Sequence, residues 1–119
     1  MDYIDLMLIR APKSTVKDVS EEDGRHQTWS VMEEFVKNGG LKHLGVSNFE
    51  VDHLDEVQGY SQVHIECNQV EISPSFRNQE VIDHCRKKNI HLVAYSPLGS
   101  HTSKDLLKDT KLIDIANRL

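Results

Sequence analysis

Apolar residues in this chain fall into short continuous runs separated by stretches in which they recur every three or four positions, and that contrast divides it into alternating elements. Tyr3-Ile4-Asp5-Leu6-Met7-Leu8-Ile9 is a nearly unbroken apolar run closed by Pro12, the length of a strand buried on both faces. A loop is expected through Ser20-Glu21-Glu22-Asp23-Gly24. From Thr28 to Lys37 the residues Trp29, Met32, Phe35 and Val36 keep helical spacing, which predicts a helix with Thr28 as N-cap and Gly39-Gly40 as its stop. Leu41 to Ser47 reads as a second strand, and Phe49 to Val57 as a helix with Val51, Leu54 and Val57 on one side, closing near Gly59. His64 to Ile72 predicts a third strand. A helix from about Asn78 to Lys88 follows, with Val81, Ile82 and Cys85 inward, then a strand from Ile90 to Tyr95 and a last helix from Asp109 to Leu119. Strands alternating with helices of this length argue for βαβ units, a parallel sheet and right-handed crossovers, so the fold class is α/β.

Composition narrows the functional classes. A length of 119 residues suits one ordinary domain. A formal net charge of -5 gives no electrostatic reason to expect nucleic acid or an anionic membrane as partner. No apolar run approaches the roughly 18 residues of a membrane span, and Met1-Asp2-Tyr3-Ile4-Asp5 has no basic leader, so a cytoplasmic location is the expectation. Cys67 and Cys85 read as free, packed thiols. The seven histidines show no zinc-site spacing, and no metal is expected. Arg86-Lys87-Lys88 could form a binding patch, but its position suits the negative end of a helix dipole just before Asn89.

Chemistry enters through the strand ends. Arg10 follows the first strand, Ser47-Asn48 the second, Asn68-Gln69 lie in the third, and Tyr95-Ser96 close the fourth. In a parallel α/β sheet these ends share one rim, where barrels and open sheets alike bind ligands. Asn48 and Gln69 each offer a carbonyl acceptor and an amide donor, suited to a primary carboxamide such as that of nicotinamide; Ser47 adds a hydroxyl and Tyr95 a flat ring. Plainer readings stand beside these. Ser47-Asn48 could cap the helix that starts near Glu50, and Tyr95 could be a core aromatic. Ser96-Pro97-Leu98-Gly99-Ser100 could be a turn, or its amides and hydroxyls could hold a pyrophosphate. Gln69 is harder to explain away, since an unpaired amide inside an apolar strand costs about 1–3 kcal/mol.

Four segments together resemble the successive signatures of the aldo-keto reductases: Asp2 to Ile9, Gly45-Val46-Ser47-Asn48-Phe49, Asn68-Gln69-Val70-Glu71, and Ala94-Tyr95-Ser96-Pro97-Leu98-Gly99-Ser100. Their order and spacing agree, and the similarity runs over essentially the whole chain. The resemblance implies a partial (β/α)8 TIM barrel, with residues 1-119 covering the fourth to seventh strands and part of the next helix. It implies NADPH-dependent reduction of aldehydes and ketones to alcohols. Position by position, Ser47, Asn48 and Gln69 match the residues that hold the nicotinamide carboxamide, Tyr95 the ring that stacks on nicotinamide, and Ser96, Leu98 and Ser100 the loop over the pyrophosphate. The family's catalytic Asp, proton-donating Tyr and Lys belong to strands that would precede Met1. Its catalytic His position falls on Arg10, a larger group that stays charged at every working pH. No complete catalytic set is therefore expected in this chain.

Four strands cannot close a barrel. Inward residues such as Leu6, Leu8, Val46, Val70 and Val93, whichever of each alternating pair faces in, are expected to lack partners, and the first and fourth strands to present free edges, so self-association follows. Two functions come out of the sequence. One is an aldo-keto reductase-like oxidoreductase fragment, with a small-molecule carbonyl substrate and NADP(H), inactive alone. The other is a non-enzymatic interaction module pairing through open sheet edges. A flavodoxin-like domain would explain the alternation but not the four signatures.

Overall fold

The computed structural model describes residues 2–13, 17–99 and 105–119. Four strands, β1 (Ile4–Ile9), β2 (Leu41–Ser47), β3 (Ile65–Glu71) and β4 (His91–Tyr95), make one sheet in the order β1-β2-β3-β4, every pairing parallel. Helices α1 (Glu21–Lys37), α2 (Val51–Tyr60) and α3 (Gln79–Lys87) join them in turn, and a 3-10 turn at Leu106–Lys108 leads into α4 (Thr110–Ala116). Sequential neighbours paired in parallel through helical crossovers are the expected α/β architecture.

The first helix starts eight residues earlier than the apolar spacing predicts. Ser20, not Thr28, is its N-cap, accepting the Asp23 N–H at 3.0 Å, and Glu21, Glu22 and Asp23 lie at the positive end of the helix dipole. Thr28 sits inside the helix and donates its hydroxyl to Gly24 O at 2.7 Å. These first turns carry no apolar stripe because a charged anchor holds them. Arg25, 8% exposed, donates to both carboxylate oxygens of Glu56 on α2 and to Pro12 O at 2.8 Å. The apolar face begins at Trp29 and Met32. Beside them Glu33 is buried, and its Oε1 accepts from Trp29 Nε1 at 2.9 Å and from the N–H groups of Gln62 and Val63 at 2.7 and 3.0 Å. One carboxylate on α1 thus holds the connection between α2 and β3.

The two faces of the sheet differ. Trp29, Leu44, Val46, Phe49, Leu54, Val57, Ile65, Val81 and Cys85 form the core between sheet and helices. The opposite face is located by Gly45, where an added Cβ would lie 2.6 Å from Leu8 Cδ2 and 2.8 Å from Cys67 Sγ. Leu8, Gly45 and Cys67 are register partners and share that open face. Strand alternation places Leu6, Ser47, Gln69, Val93 and Tyr95 there too. Leu6 and Val93 are 41% and 39% exposed, as inward residues without partners should be. Val46 and Val70 are the members of the alternating pairs that face the helices. Val46 is fully buried in the core under the helices and Val70 packs against that core, so neither belongs to the open face. The sequence could not separate the faces of β2 and β3, because both carry apolar residues.

Helix α3 is capped by Asn78, whose side chain accepts the Val81 N–H at 3.3 Å, and it ends where Asn89 turns left-handed at φ 62. The basic cluster there is partly paired, Lys88 with Asp55 at 3.3 Å and Arg86 with Asp83 at 3.8 Å. Cys67 and Cys85 are free and buried, and burial pushes both thiols above their ordinary pKa. Among the described residues no helix is long and apolar enough to cross a membrane.

Candidate functional site

The strand ends converge through one side chain. Ser47 closes β2 nearly buried, and its Oγ donates to Gln69 O at 2.8 Å. Asn48 follows in the left-handed region at φ 60, which Asn enters more easily than most residues. Its N–H donates to the same Gln69 O at 2.9 Å. Its Nδ2 donates to Arg10 O at 3.0 Å and lies 3.2 Å from Ser47 Oγ, while its Oδ1 accepts the Tyr95 hydroxyl at 2.8 Å. A single residue thereby ties together the C-terminal ends of β1, β2, β3 and β4. The rim inferred from the sequence exists, and Arg10, Ser47, Asn48, Gln69 and Tyr95 meet on it.

The cap reading of Ser47-Asn48 is set aside by the helix itself. The N-cap of α2 is Glu50, whose N–H donates to His53 Nδ1 at 3.2 Å, and the polar groups of Ser47 and Asn48 are spent on the rim. Tyr95 is 36% exposed and so is not a core aromatic. Together with Asn48, Glu50, Val70, Glu71 and Phe76 it borders a small cleft of about 140 Å³.

The two amides of β3 exchange the roles that energetics alone suggested. Gln69 is half-buried on the open face, and its side-chain amide makes no hydrogen bond with the described residues. Asn68 is the amide in the core, 0% exposed on the helix side between Val46 and Leu92 in register. Its Nδ2 donates to Phe49 O at 2.9 Å and its Oδ1 accepts the Phe49 N–H at 3.5 Å. The cost of an unpaired buried amide, about 1–3 kcal/mol, is avoided at Asn68 by these bonds. Sequence reasoning passed over Asn68 as a separate residue because only the register distinguishes it from its neighbour.

The loop after β4 is a tight turn. Ser96 has φ 50, Gly99 has φ 87, and the Gly99 N–H donates to Ser96 O at 2.8 Å. Pro97 brings no N–H, so few of the turn's backbone donors are left for a pyrophosphate. Leu98 is 66% exposed and, with Pro74, Pro97, Leu106, Leu112 and Ile113, lines an apolar groove of about 320 Å³ toward α4. Ser100 lies outside the described residues.

These groups fit a primary carboxamide. Asn48 Oδ1 keeps a second lone pair beside its bond from Tyr95, Gln69 offers both a donor and an acceptor, and the Tyr95 ring gives a partly open face. Arg10 is exposed at the end of β1 and forms no ion pair among the described residues.

Consecutive parallel βα units with helices on one face, an open opposite face and a polar rim at the strand C-termini make this part of an α/β barrel. The chain belongs to the Aldo/keto reductase family, whose sequence pattern matches residues 1–112. Glyoxal reductase of Bacillus subtilis is 36% identical over 119 residues, an alignment covering 99% of this chain and 39% of that protein. An aldo-keto reductase from a deep-sea metagenome superposes with a TM-score of 0.87 at 36% identity, over 99% of this chain and 41% of that one. The aldo-keto reductase of Bombyx mori, solved in complex with NADP, gives 0.83 at 26% identity, over 99% and 41%. The chain spans between 35% and 45% of the length of these curated relatives.

Proposed function

We propose that this chain forms the nicotinamide-facing wall of an NADP(H)-dependent reductase of small aldehydes and ketones. The observation that carries the reading is the amide of Asn48, held between Arg10 O and the Tyr95 hydroxyl at the strand C-termini, where Ser47 Oγ and the Asn48 N–H both bond to Gln69 O. Ser47, Asn48 and Gln69 orient a carboxamide, and Tyr95 covers the ring plane. A bound NADPH supplies the hydride that reduces a carbonyl carbon. No proton donor to the carbonyl oxygen is assigned to these residues: the proton-donating Tyr that the family resemblance calls for matches none of them, and Arg10 stands at the position of the catalytic His. The family and the NADP complex of the Bombyx mori protein support the cofactor.

Saturation-transfer NMR with NADP+ tests it. Transfer to the nicotinamide ring protons is expected with the unaltered chain and is expected to weaken in Asn48→Ala and Tyr95→Ala. Absence of transfer, or transfer indifferent to both substitutions, would overturn the reading.

A second reading has its own observation. Leu6 and Val93 are exposed on the open face, and Tyr3, Ile4, Met7, Phe35 and Leu41 line an apolar groove of about 420 Å³ beside the free edge of β1. Such a surface suits pairing with a second copy of the chain through the sheet. Sedimentation is expected to show mass rising with concentration, and a monomer at all concentrations would dismiss this reading.

A further inference from the structure

We infer that Asn68, on the helix side of the sheet, is a positioning residue for the rim on the other side, acting through the backbone of Phe49 on the side chain of Asn48. The inference rests on the proposed carboxamide site and deepens it.

The argument starts from peptide planes. Asn48 has a left-handed backbone, a conformation that persists only where its surroundings determine it. Its φ and ψ are set by the orientations of the two peptide planes that flank it. The plane before it carries the Asn48 N–H, which donates to Gln69 O. The plane after it carries the Phe49 N–H, which makes a long contact with Asn68 Oδ1 at 3.5 Å, the weaker of the two bonds between Asn68 and Phe49. Consecutive residues of β3 therefore grip both flanks of Asn48, one through its backbone and the other through its side chain.

The second bond of Asn68 makes that grip directional. Its Nδ2 donates to Phe49 O at 2.9 Å, so the amide spans both backbone groups of one residue in the manner of a neighbouring strand. In effect the ladder between β2 and β3 continues past Ser47 by way of a side chain. The Phe49 ring is fully buried in the core and lies edge-to-face with His53 at 5.8 Å. That packing locates the ring, while the backbone N–H and C=O of Phe49 are oriented by Asn68. Asn68 itself has no freedom to yield: it is 0% exposed and enclosed by apolar neighbours that include Val46 and Cys85.

The consequence falls on Asn48 Nδ2 and Oδ1. With the Phe49 ring anchored in the core, a change of ψ at Asn48 is taken up on the other side of its Cα, where the side chain turns and the bonds to Arg10 O and Tyr95 Oη cannot both keep their geometry. Asn68 touches neither of those groups nor the open face, yet sets where the Asn48 amide stands.

Two measurements test this. In a 1H–15N spectrum of the chain without cofactor, the side-chain amide resonances of Asn48, assigned by their absence from Asn48→Ala, are expected to shift in Asn68→Ala. Unchanged resonances would overturn the inference. NADP+ affinity is then compared in a double-mutant cycle. Asn68→Ala is expected to weaken binding about tenfold in the otherwise unaltered chain and less than about twofold in the Asn48→Ala background. Equal losses in both backgrounds would mean that Asn68 acts through general stability, and would also overturn it. If Asn48→Ala alone leaves binding unchanged, the cofactor reading falls, while the resonance measurement still decides the positioning. Should Asn68→Ala fail to fold, Asn68→Ser, whose hydroxyl can keep one of the two bonds, is read in the same way.

Discussion

The hydroxyl of Tyr95 donates to the side-chain carbonyl of Asn48 at 2.8 Å, joining the end of β4 to the residue after β2 across 47 positions of sequence. The bond explains how a partly exposed aromatic can be held in place without a packed surround. It also separates two contributions of Tyr95 that a single truncation would merge.

Tyr95→Phe keeps the ring face and loses the bond, whereas Tyr95→Ala loses both. NADP+ affinity is expected to fall by about threefold in the first, the scale of one partly exposed hydrogen bond, and by about tenfold or more in the second. Titration by NMR or calorimetry checks this. Equal losses would place the whole effect in the hydroxyl and none in the ring.

Glu33→Ala removes the acceptor shared by Trp29 Nε1, Gln62 N and Val63 N. The buried Trp29 N–H left unpaired costs about 1–3 kcal/mol and the two part-buried backbone donors less, so a loss of roughly 2–3 kcal/mol is expected in urea unfolding. Glu33→Gln retains one acceptor oxygen at that position and is expected to lose about 1 kcal/mol. A Glu33→Ala variant as stable as the parent would show that the connection between α2 and β3 does not depend on this carboxylate.

Gly45 is required by its neighbours. A Cβ there would stand 2.8 Å from the backbone oxygen of Cys67 as well as against Leu8, and backbone in a paired strand cannot step aside cheaply. Gly45→Ala is expected to cost about 1–3 kcal/mol of overpacking, read as a lower melting temperature. Paired with Leu8→Ala, which clears the side-chain contact alone, most of the loss should remain, because the clash with Cys67 O persists.

Tyr60 ionises late. Burial pushes its phenol up to about 12, Glu56 adds to the shift, and Arg25 opposes it. The folded state favours the neutral phenol, so this contribution to stability is complete below the ordinary pKa of about 10 and is lost as pH rises through 12. An ultraviolet titration is expected to show one tyrosine ionising near that upper value and to lose the step in Tyr60→Phe. The same variant is expected to flatten the alkaline fall in stability.

The βα alternation was legible because β1 and β4 are compact apolar runs and α2 and α3 bury a regular stripe. It failed over the first turns of α1, where an ion pair between Arg25 and Glu56 does the anchoring and leaves no apolar period to read. The signal present there is Ser20 followed three residues later by Asp23, a cap pattern that the neighbouring Gly24 obscured. The rim was legible in its membership, because polar residues at strand ends stand out against apolar runs. Its wiring was not. The bonds from Asn48 to Arg10 and Tyr95 join residues far apart in sequence, and the burial of Asn68 follows from a register that composition does not encode.

Asn68 and Gln69 are neighbours in the chain and stand on opposite sides of the sheet. Exchanging them, with Asn68→Gln and Gln69→Asn together, preserves composition, charge and hydropathy, yet it drives the longer amide beneath the helices and sends the shorter one to the rim. Adding or deleting one residue between Cys67 and Glu71 would misplace them likewise, since side chains alternate with a period of two. β3 already absorbs one extra residue, Glu66, where its pairing with β2 shifts between Leu44 and Gly45, so a single-residue change is accommodated on the far side of that irregularity, whereas one beyond Cys67 would uncouple the core from the rim.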